Sequence, residues 1–323
     1  MFNLSIMGAT GLVGTTLLRI LEEENFPVKN LNLYASEKSQ NKTVKFKNDY
    51  IKVEKLDENY KKDADFYFFM TEKEISKKYI SNFKGKGVVI DNSSAFRLKN
   101  GIPLIVPEIN FNQIENKKII ANPNCTTAIC AIPLHLLNKN YGICRVNVST
   151  YQAVSGCGNR GINALNDLSD AQALFNCNIK ETCLPFIGNL NKNGYTSEEL
   201  KLDFELKKIL NLEKIKISAT CVRVPIRNCH GATVSVTLKK KFSLQQIYDI
   251  FAKNNNICLL EDEQRIPNGI VADNSNKVYV GRIRRDNSLN NSLLFYVVSD
   301  NLRRGAAYNA YEIMKYCIEN DCM

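Results

Sequence analysis

"FNLSIMGATGLVGTTLLRILEEE", residues 2–24, is the stretch whose reading decides the fold. Residues 2–8 make a short apolar strand pattern that runs directly into a glycine-rich turn. A helical stretch follows in which Leu12, Val13, Leu17, Leu18 and Leu21 lie on one side. Gly8, Gly11 and Gly14 permit a tight turn, a close approach of a phosphate to the backbone, and close packing of helix on strand. The helix N-terminus meanwhile offers unpaired N–H groups to an anion. The spacing is G-x-x-G-x-x-G, a departure from G-x-G-x-x-G, so the position of the loop between strand and helix counts for as much as its glycines. It predicts a dinucleotide site, with Thr10, Leu12 and Val13 as further cofactor contacts.

Working outward, strand patterns recur at 30–36, 64–70, 87–93 and 118–122, with a helix pattern in "EKEISKKYISNF" between two of them. Alternating strands and helices predict an α/β fold with an N-terminal Rossmann-type doubly wound parallel sheet. Beyond residue 125 the texture changes. Longer alternating strands at 143–154, 214–224, 231–240, 276–285 and 291–300 suit a mixed or antiparallel sheet with helices on one face, an α+β arrangement. Helix patterns lie at 162–175, 196–210, 243–254 and 301–319. A chain of 323 residues exceeds what one core usually serves. We therefore expect a cofactor domain at 1–124, a catalytic and dimerisation domain at 125–300, and a last helix, about 301–323, packing back on the first.

The N-terminus has no cationic segment ahead of an apolar run, and no window nears eighteen uninterrupted apolar residues, which predicts a soluble protein of the cytoplasm with no membrane partner. The eleven cysteines are odd in number and read as free thiols. The closest spacings, Cys125/Cys130 and Cys317/Cys322, are not C-x-x-C and there are only two histidines, so no metal is expected. The net charge of +10 is carried by scattered short runs (Lys61–Lys62, Lys239–Lys241, Arg284–Arg285, Arg303–Arg304) among acids. That pattern describes a solvated surface compatible with small anionic ligands, and no nucleic-acid partner is expected.

The end of the second strand, "YASEKSQNK", bears on the choice of cofactor. An acid there would hold a ribose 2′-hydroxyl, whereas a cation and hydroxyls would receive a 2′-phosphate. Glu37 points to NAD; Ser36, Lys38 and Ser39 point to NADP, the preferred reading, with NAD the alternative. In "IIANPNCTTAIC", residues 119–130, Cys125 opens a helix after a proline turn, a place that lowers a thiol's pKa. It is either a nucleophile or a small buried residue. A nucleophilic thiol wants a base. His135 lies roughly 15 Å along the same helix and cannot serve, which leaves His230.

Taken together, "GATGLVG", "SSAFR" (93–97), "NPNCTT" (122–127), "TYQAVSGCG" (150–158), "EELK" (198–201), "RVPIRNCH" (223–230) and "DNLRRGAA" (300–307) resemble aspartate-semialdehyde dehydrogenase, in the family's order and spacing. The resemblance runs from residue 3 to about 310. It implies reductive dephosphorylation of L-aspartyl 4-phosphate to aspartate 4-semialdehyde with NADPH, a step towards lysine, threonine and methionine. Cys125 would form the thioester and His230 would be the acid/base, a role that needs a pKa near the working pH. The resemblance makes Arg97 and Lys201 a phosphate clamp, Arg223 the partner of the substrate carboxylate and Glu198 that of its ammonium. Gln152 would orient the acyl group beside Asn124. Ser155 and Gly156 would underlie the nicotinamide, and Asn301 would touch the cofactor from the start of the last helix. A homodimer through the second domain, single or paired into a tetramer, is implied as well.

The chain departs from the family at Lys38, where an arginine between serines is common, and in a short segment before "YTSEELK". N-acetyl-gamma-glutamyl-phosphate reductase shares the chemistry, but its cysteine usually follows Pro-Gly, not Asn124. Glyceraldehyde-3-phosphate dehydrogenase shares Cys-Thr-Thr but not the surroundings. A non-catalytic nucleotide-binding paralogue would be expected to lack Cys125, His230 or an arginine, and all stand in place.

Overall fold

The computed structural model describes residues 1–322 other than Asn59, Lys61, Lys62, Asn116, Glu263 and Gln264, so the Lys61–Lys62 run lies outside the described residues. The chain divides into two compact units, Met1–Pro123 with Ala306–Met323, and Asn124–Gly305.

The first unit runs β1 (Phe2–Met7), α1 (Leu12–Glu23), β2 (Val28–Ala35), β3 (Thr43–Phe46), β4 (Asp49–Lys55), β5 (Phe66–Phe69), α2 (Lys73–Ile80), β6 (Val88–Asp91), α3 (Pro107–Asn110) and β7 (Ile119–Ala121). Its sheet has the order β3-β4-β2-β1-β5-β6-β7, every pairing parallel except β3 on β4. The β5 sequence "FYFF" shows why helices are needed on both faces. Phe66 and Phe68 enter the core built on Leu17, Leu18 and Leu21 of α1. Tyr67 and Phe69, on the opposite pleat, enter a second core with Tyr79 and Ile80 of α2.

The second unit runs α4 (Cys125–Tyr141), β8 (Ile143–Gln152), α5 (Gly158–Asn166), α6 (Leu168–Phe175), α7 (Ser197–Leu210), β9 (Lys216–Arg223), β10 (His230–Leu238), α8 (Leu244–Ala252), β11 (Ile257–Leu260), α9 (Gly269–Ala272), β12 (Val278–Arg285) and β13 (Ser292–Ser299). Its six strands are ordered β11-β12-β13-β10-β8-β9. β8–β9 and β11–β12 are parallel and the other pairs antiparallel, a mixed sheet. Along β10, Val234 and Val236 are buried while Thr233, Ser235 and Thr237 are only partly so, which marks one covered and one open face. The chain then re-enters the first unit as α10 (Tyr308–Glu319), whose Tyr311 and Met314 join the α1 core.

Three local expectations are revised. The pattern at 162–175 is two helices, because Asp167 leaves helical geometry (φ −126°) and its carboxylate caps α6 at the Ser169 and Asp170 N–H groups. The last regular α-helix begins at Tyr308 rather than 301, after a π-helical turn at Arg303–Ala307. The β3–β4 hairpin adds an antiparallel edge that the alternation rule did not predict. Among the described residues no helix is long and apolar enough to cross a membrane.

Candidate active site

The glycine loop of the first unit is built around backbone contacts. Gly8 has φ +84°, and a Cβ there would stand 2.3 Å from the Met70 carbonyl oxygen. A Cβ on Gly14 would stand 2.3 Å from the Gly8 oxygen, so the first turn of α1 lies directly on the loop. Gly11 is the N-cap of α1 and supplies no side-chain cap, and the first turn carries no acid. An anion therefore meets N–H groups with no carboxylate competing, and Thr10, Leu12 and Val13 flank that position. Thr10 Oγ1 donates to Ser39 Oγ at 3.2 Å, which ties the glycine loop to the turn after β2 that holds Ser36, Glu37, Lys38 and Ser39. Glu37 is paired with Lys55 of β4 at 3.0 Å. The backbone cradle fits a dinucleotide. Elsewhere in this unit, buried Arg97 donates through Nε to the Asn122 carbonyl at 2.9 Å and through Nη2 to that of Asn92 at 2.8 Å.

In the second unit the half-buried Cys125 is the first residue of α4. Asn124 caps that helix, its Oδ1 accepting from Thr126 and Thr127 N–H at 3.0 and 3.3 Å. Its Nδ2 donates to Glu198 Oε1 at 2.9 Å, which also accepts from Gln152 Nε2 at 3.3 Å. Lys201, one turn along α7, holds the other Glu198 oxygen at 2.9 Å. Burial alone would raise the Glu198 pKa. The Lys201 charge and hydrogen bond, with Asn124 and Arg223, outweigh it and bring the carboxyl down to about 2. Gln152, Asn124, Glu198 and Lys201 are thus one connected group. Gly305 closes on the thiol, since a Cβ there would lie 2.9 Å from Cys125 Cβ.

His230 opens β10 and is fully buried. Its Nδ1 accepts the Ala153 N–H at 3.1 Å, so a neutral ring carries its proton on Nε2. Among the described residues Nε2 has no hydrogen-bond partner. It faces bare Gly156, where a Cβ would sit 3.2 Å from Nε2 and 2.8 Å from Arg223 Nη1. Arg223, at the end of β9, is fixed by a 2.6 Å bond from Nη1 to the Ala153 oxygen. Burial first, then the Arg223 charge, lowers the His230 pKa to about 3. This differs from the expected pKa near the working pH; the ring here is a neutral donor. His135 lies far along α4, half-buried.

Ser155 and Asn301 interlock. Asn301 Nδ2 donates to Ser155 Oγ at 3.0 Å, and its Oδ1 accepts from Cys229 N–H at 2.9 Å. Asn301 sits in the turn after β13, ahead of the last helix, and buttresses Cys229, whose φ of +72° is unusual for a side-chain-bearing residue. Among the described residues, Cys229, Asp273 and Asp300 bring possible metal ligand atoms within 4.8 Å of one another. Asp300 also accepts hydrogen bonds from Asn228, Asn274, Leu302 and Arg303. Two residues at the site escaped sequence reasoning. Gly305 lies inside a motif already quoted, and Glu205, 1% exposed, accepts the Asn124 backbone N–H at 2.7 Å.

A family model described as the semialdehyde dehydrogenase NAD binding domain matches residues 3–117, and one for the semialdehyde dehydrogenase dimerisation domain matches residues 134–304. The aspartate-semialdehyde dehydrogenase of Aquifex aeolicus is 39% identical, covering 98% of this chain and 98% of its own. This chain belongs to the aspartate-semialdehyde dehydrogenase family. The Prochlorococcus marinus member is also 39% identical, over 96% of this chain and 94% of its own. The crystal structure of aspartate semialdehyde dehydrogenase II complexed with ASA from Vibrio cholerae matches with a TM-score of 0.94 at 37% identity, covering 99% of each chain. Family membership makes the chain an oxidoreductase with a nucleotide-binding and a dimerisation domain, and favours this reading over the acetylated-substrate reductase.

Proposed function

We propose that this family member reduces L-aspartyl 4-phosphate to L-aspartate 4-semialdehyde with NADPH, by way of a thioester on Cys125. The observation that carries the reading is His230, a buried imidazole whose only unpartnered nitrogen faces Gly156 beside Arg223, in the unit whose α4 begins with Cys125. The Cys125 thiolate, favoured by the α4 N-terminus, attacks the acyl carbon; the C–O bond to phosphate breaks, inorganic phosphate leaves and a thioester remains. The Gly8–Gly14 loop would hold the reduced cofactor, which when bound would supply the hydride. His230, neutral with its proton on Nε2, donates a hydrogen bond from Nε2–H to the oxyanion of each tetrahedral adduct and keeps that proton as the adduct collapses. When the last adduct collapses, the C–S bond breaks and Cys125 leaves as thiolate. Arg223 takes the substrate carboxylate and Glu198 its ammonium, while Arg97 and Lys201 take phosphate. Gln152 orients the acyl group.

NADP is favoured over NAD because Ser39 stands against Thr10 of the phosphate loop while Glu37 is engaged by Lys55. Ser36 and Lys38 complete the proposed 2′-phosphate contacts. The open face of the second-unit sheet is the proposed homodimer surface. The test is phosphate-dependent reduction of NADP by aspartate semialdehyde, with NAD and N-acetylglutamate semialdehyde as alternatives. Turnover of the first aldehyde alone supports the reading; turnover of only the acetylated one overturns it.

A further inference from the structure

Asn124 is held at every polar group it has. Its carbonyl accepts from Ala128 N–H at 2.9 Å, its Oδ1 caps two N–H groups of α4, and its Nδ2 is held by Glu198. The remaining group, its backbone N–H, donates to Glu205 Oε2. Glu198 and Glu205 lie seven residues apart on α7, two turns along one face. One helix thus grips, at two points, the residue that precedes the thiol. A buried carboxylate is costly unless its hydrogen bonds are met, and the Asn124 N–H supplies one of those that Glu205 requires. Lys208, one turn on, feels the Glu205 charge.

We infer that Glu205 is a positioning residue for the nucleophile: by fixing the Asn124 N–H it sets where α4 begins and hence where the Cys125 sulfur stands. It touches neither substrate nor cofactor in this role. Glu198, which shares Asn124 and is the proposed ammonium ligand, makes α7 the common support of substrate and thiol. The inference rests on the proposed role of Cys125. A free-standing thiol would tolerate a loose cap, whereas attack on an acyl carbon requires placement to a fraction of an ångström.

The test compares Glu205→Gln, Glu205→Asp and Glu205→Leu with wild type. Gln keeps an acceptor at full reach, Asp keeps the charge but withdraws it by one methylene, and Leu removes both. With Asp and Leu, kcat is expected to fall by about 10–100-fold, while KM for the aldehyde stays within about two-fold because Glu198, Lys201 and Arg223 remain. Gln should stay within about three-fold of wild type. The rate of Cys125 alkylation by iodoacetamide, read by peptide mass spectrometry against exposed Cys144, should change in Asp and Leu and not in Gln. If Leu does not fold, Gln against Asp decides the matter. An Asp variant as active as Gln, or a Gln variant as impaired as Asp, overturns the inference. A fully active Cys125→Ala would instead overturn the thioester reading itself, so the two failures are separable.

Discussion

Helices α1 and α4 each begin just after a strand, β1 and β7 respectively, and their first turns are built in opposite ways. α1 is capped by Gly11 with no side chain, after a loop in which two glycines let backbone lie on backbone. α4 is capped by Asn124, whose polar groups are all bound and whose position is held by two carboxylates of α7. The dipole is the same in both helices. On the proposed reading, the open first turn accepts an anion from outside, whereas the closed one holds the chain's own thiol still. The cap, more than the helix, decides which kind of site an N-terminus becomes.

The largest expected effect is at the closed end. Cys125→Ala should lose at least about 10³-fold in kcat while cofactor affinity, measured by fluorescence titration, is retained. At the open end, Gly8→Ala brings a methyl to 2.3 Å from Met70 oxygen at φ +84°. It should cost about 1–3 kcal/mol in urea unfolding and weaken NADPH binding with little change in chemistry once saturated. Asn124→Ala removes the α4 cap and should cost about 1 kcal/mol together with a drop in kcat. A similar stability loss with unchanged kcat would make the closed cap merely structural.

The strand-turn-helix of residues 2–24 was legible because glycine spacing and apolar periodicity reinforce each other. So was β5, whose four consecutive aromatic residues are buried on both faces of the sheet. The β3–β4 hairpin was not, because "TVKF" and "DYIKVEK" are short, charged and mostly exposed, and their alternation places only Phe46 and Val53 in the core. Asp167 escaped notice because a helical pattern continues through it, and only its capping hydrogen bonds show the break. Glu205 was illegible for a related reason. In "SEELKLDFELKKIL" it is one acid among several on a charged helix, and its partner is a backbone N–H, which leaves no mark in a sequence. The low His230 pKa was equally hidden, since burial and the nearness of Arg223 are tertiary facts.

Smaller effects sharpen the contrast. His230 falls from its ordinary 6.5 to about 3 and Glu198 from 4.5 to about 2. Each site then binds fewer protons folded than unfolded between those values. The stability they contribute is present above the ordinary pKa and is lost as pH falls through that window. His135, also lowered, acts in the same direction. The urea midpoint should therefore drop between pH 7 and pH 5, and the drop should shrink in His230→Asn; an equal drop would show that the ring is not buried neutral. Smallest, Ser39→Ala should raise KM for NADPH by a factor of about two to five and leave that for NADH unchanged. Equal changes for both would remove the 2′-phosphate role of that turn.

The most direct measurement is a single-turnover experiment without reduced cofactor, in which aspartyl phosphate is mixed with stoichiometric enzyme, quenched in acid and digested for mass spectrometry. The account predicts one equivalent of inorganic phosphate released and one aspartyl thioester on the peptide containing Cys125, both absent in Cys125→Ala. Phosphate release at the wild-type rate in that variant, or acylation of another of the cysteines, would contradict it.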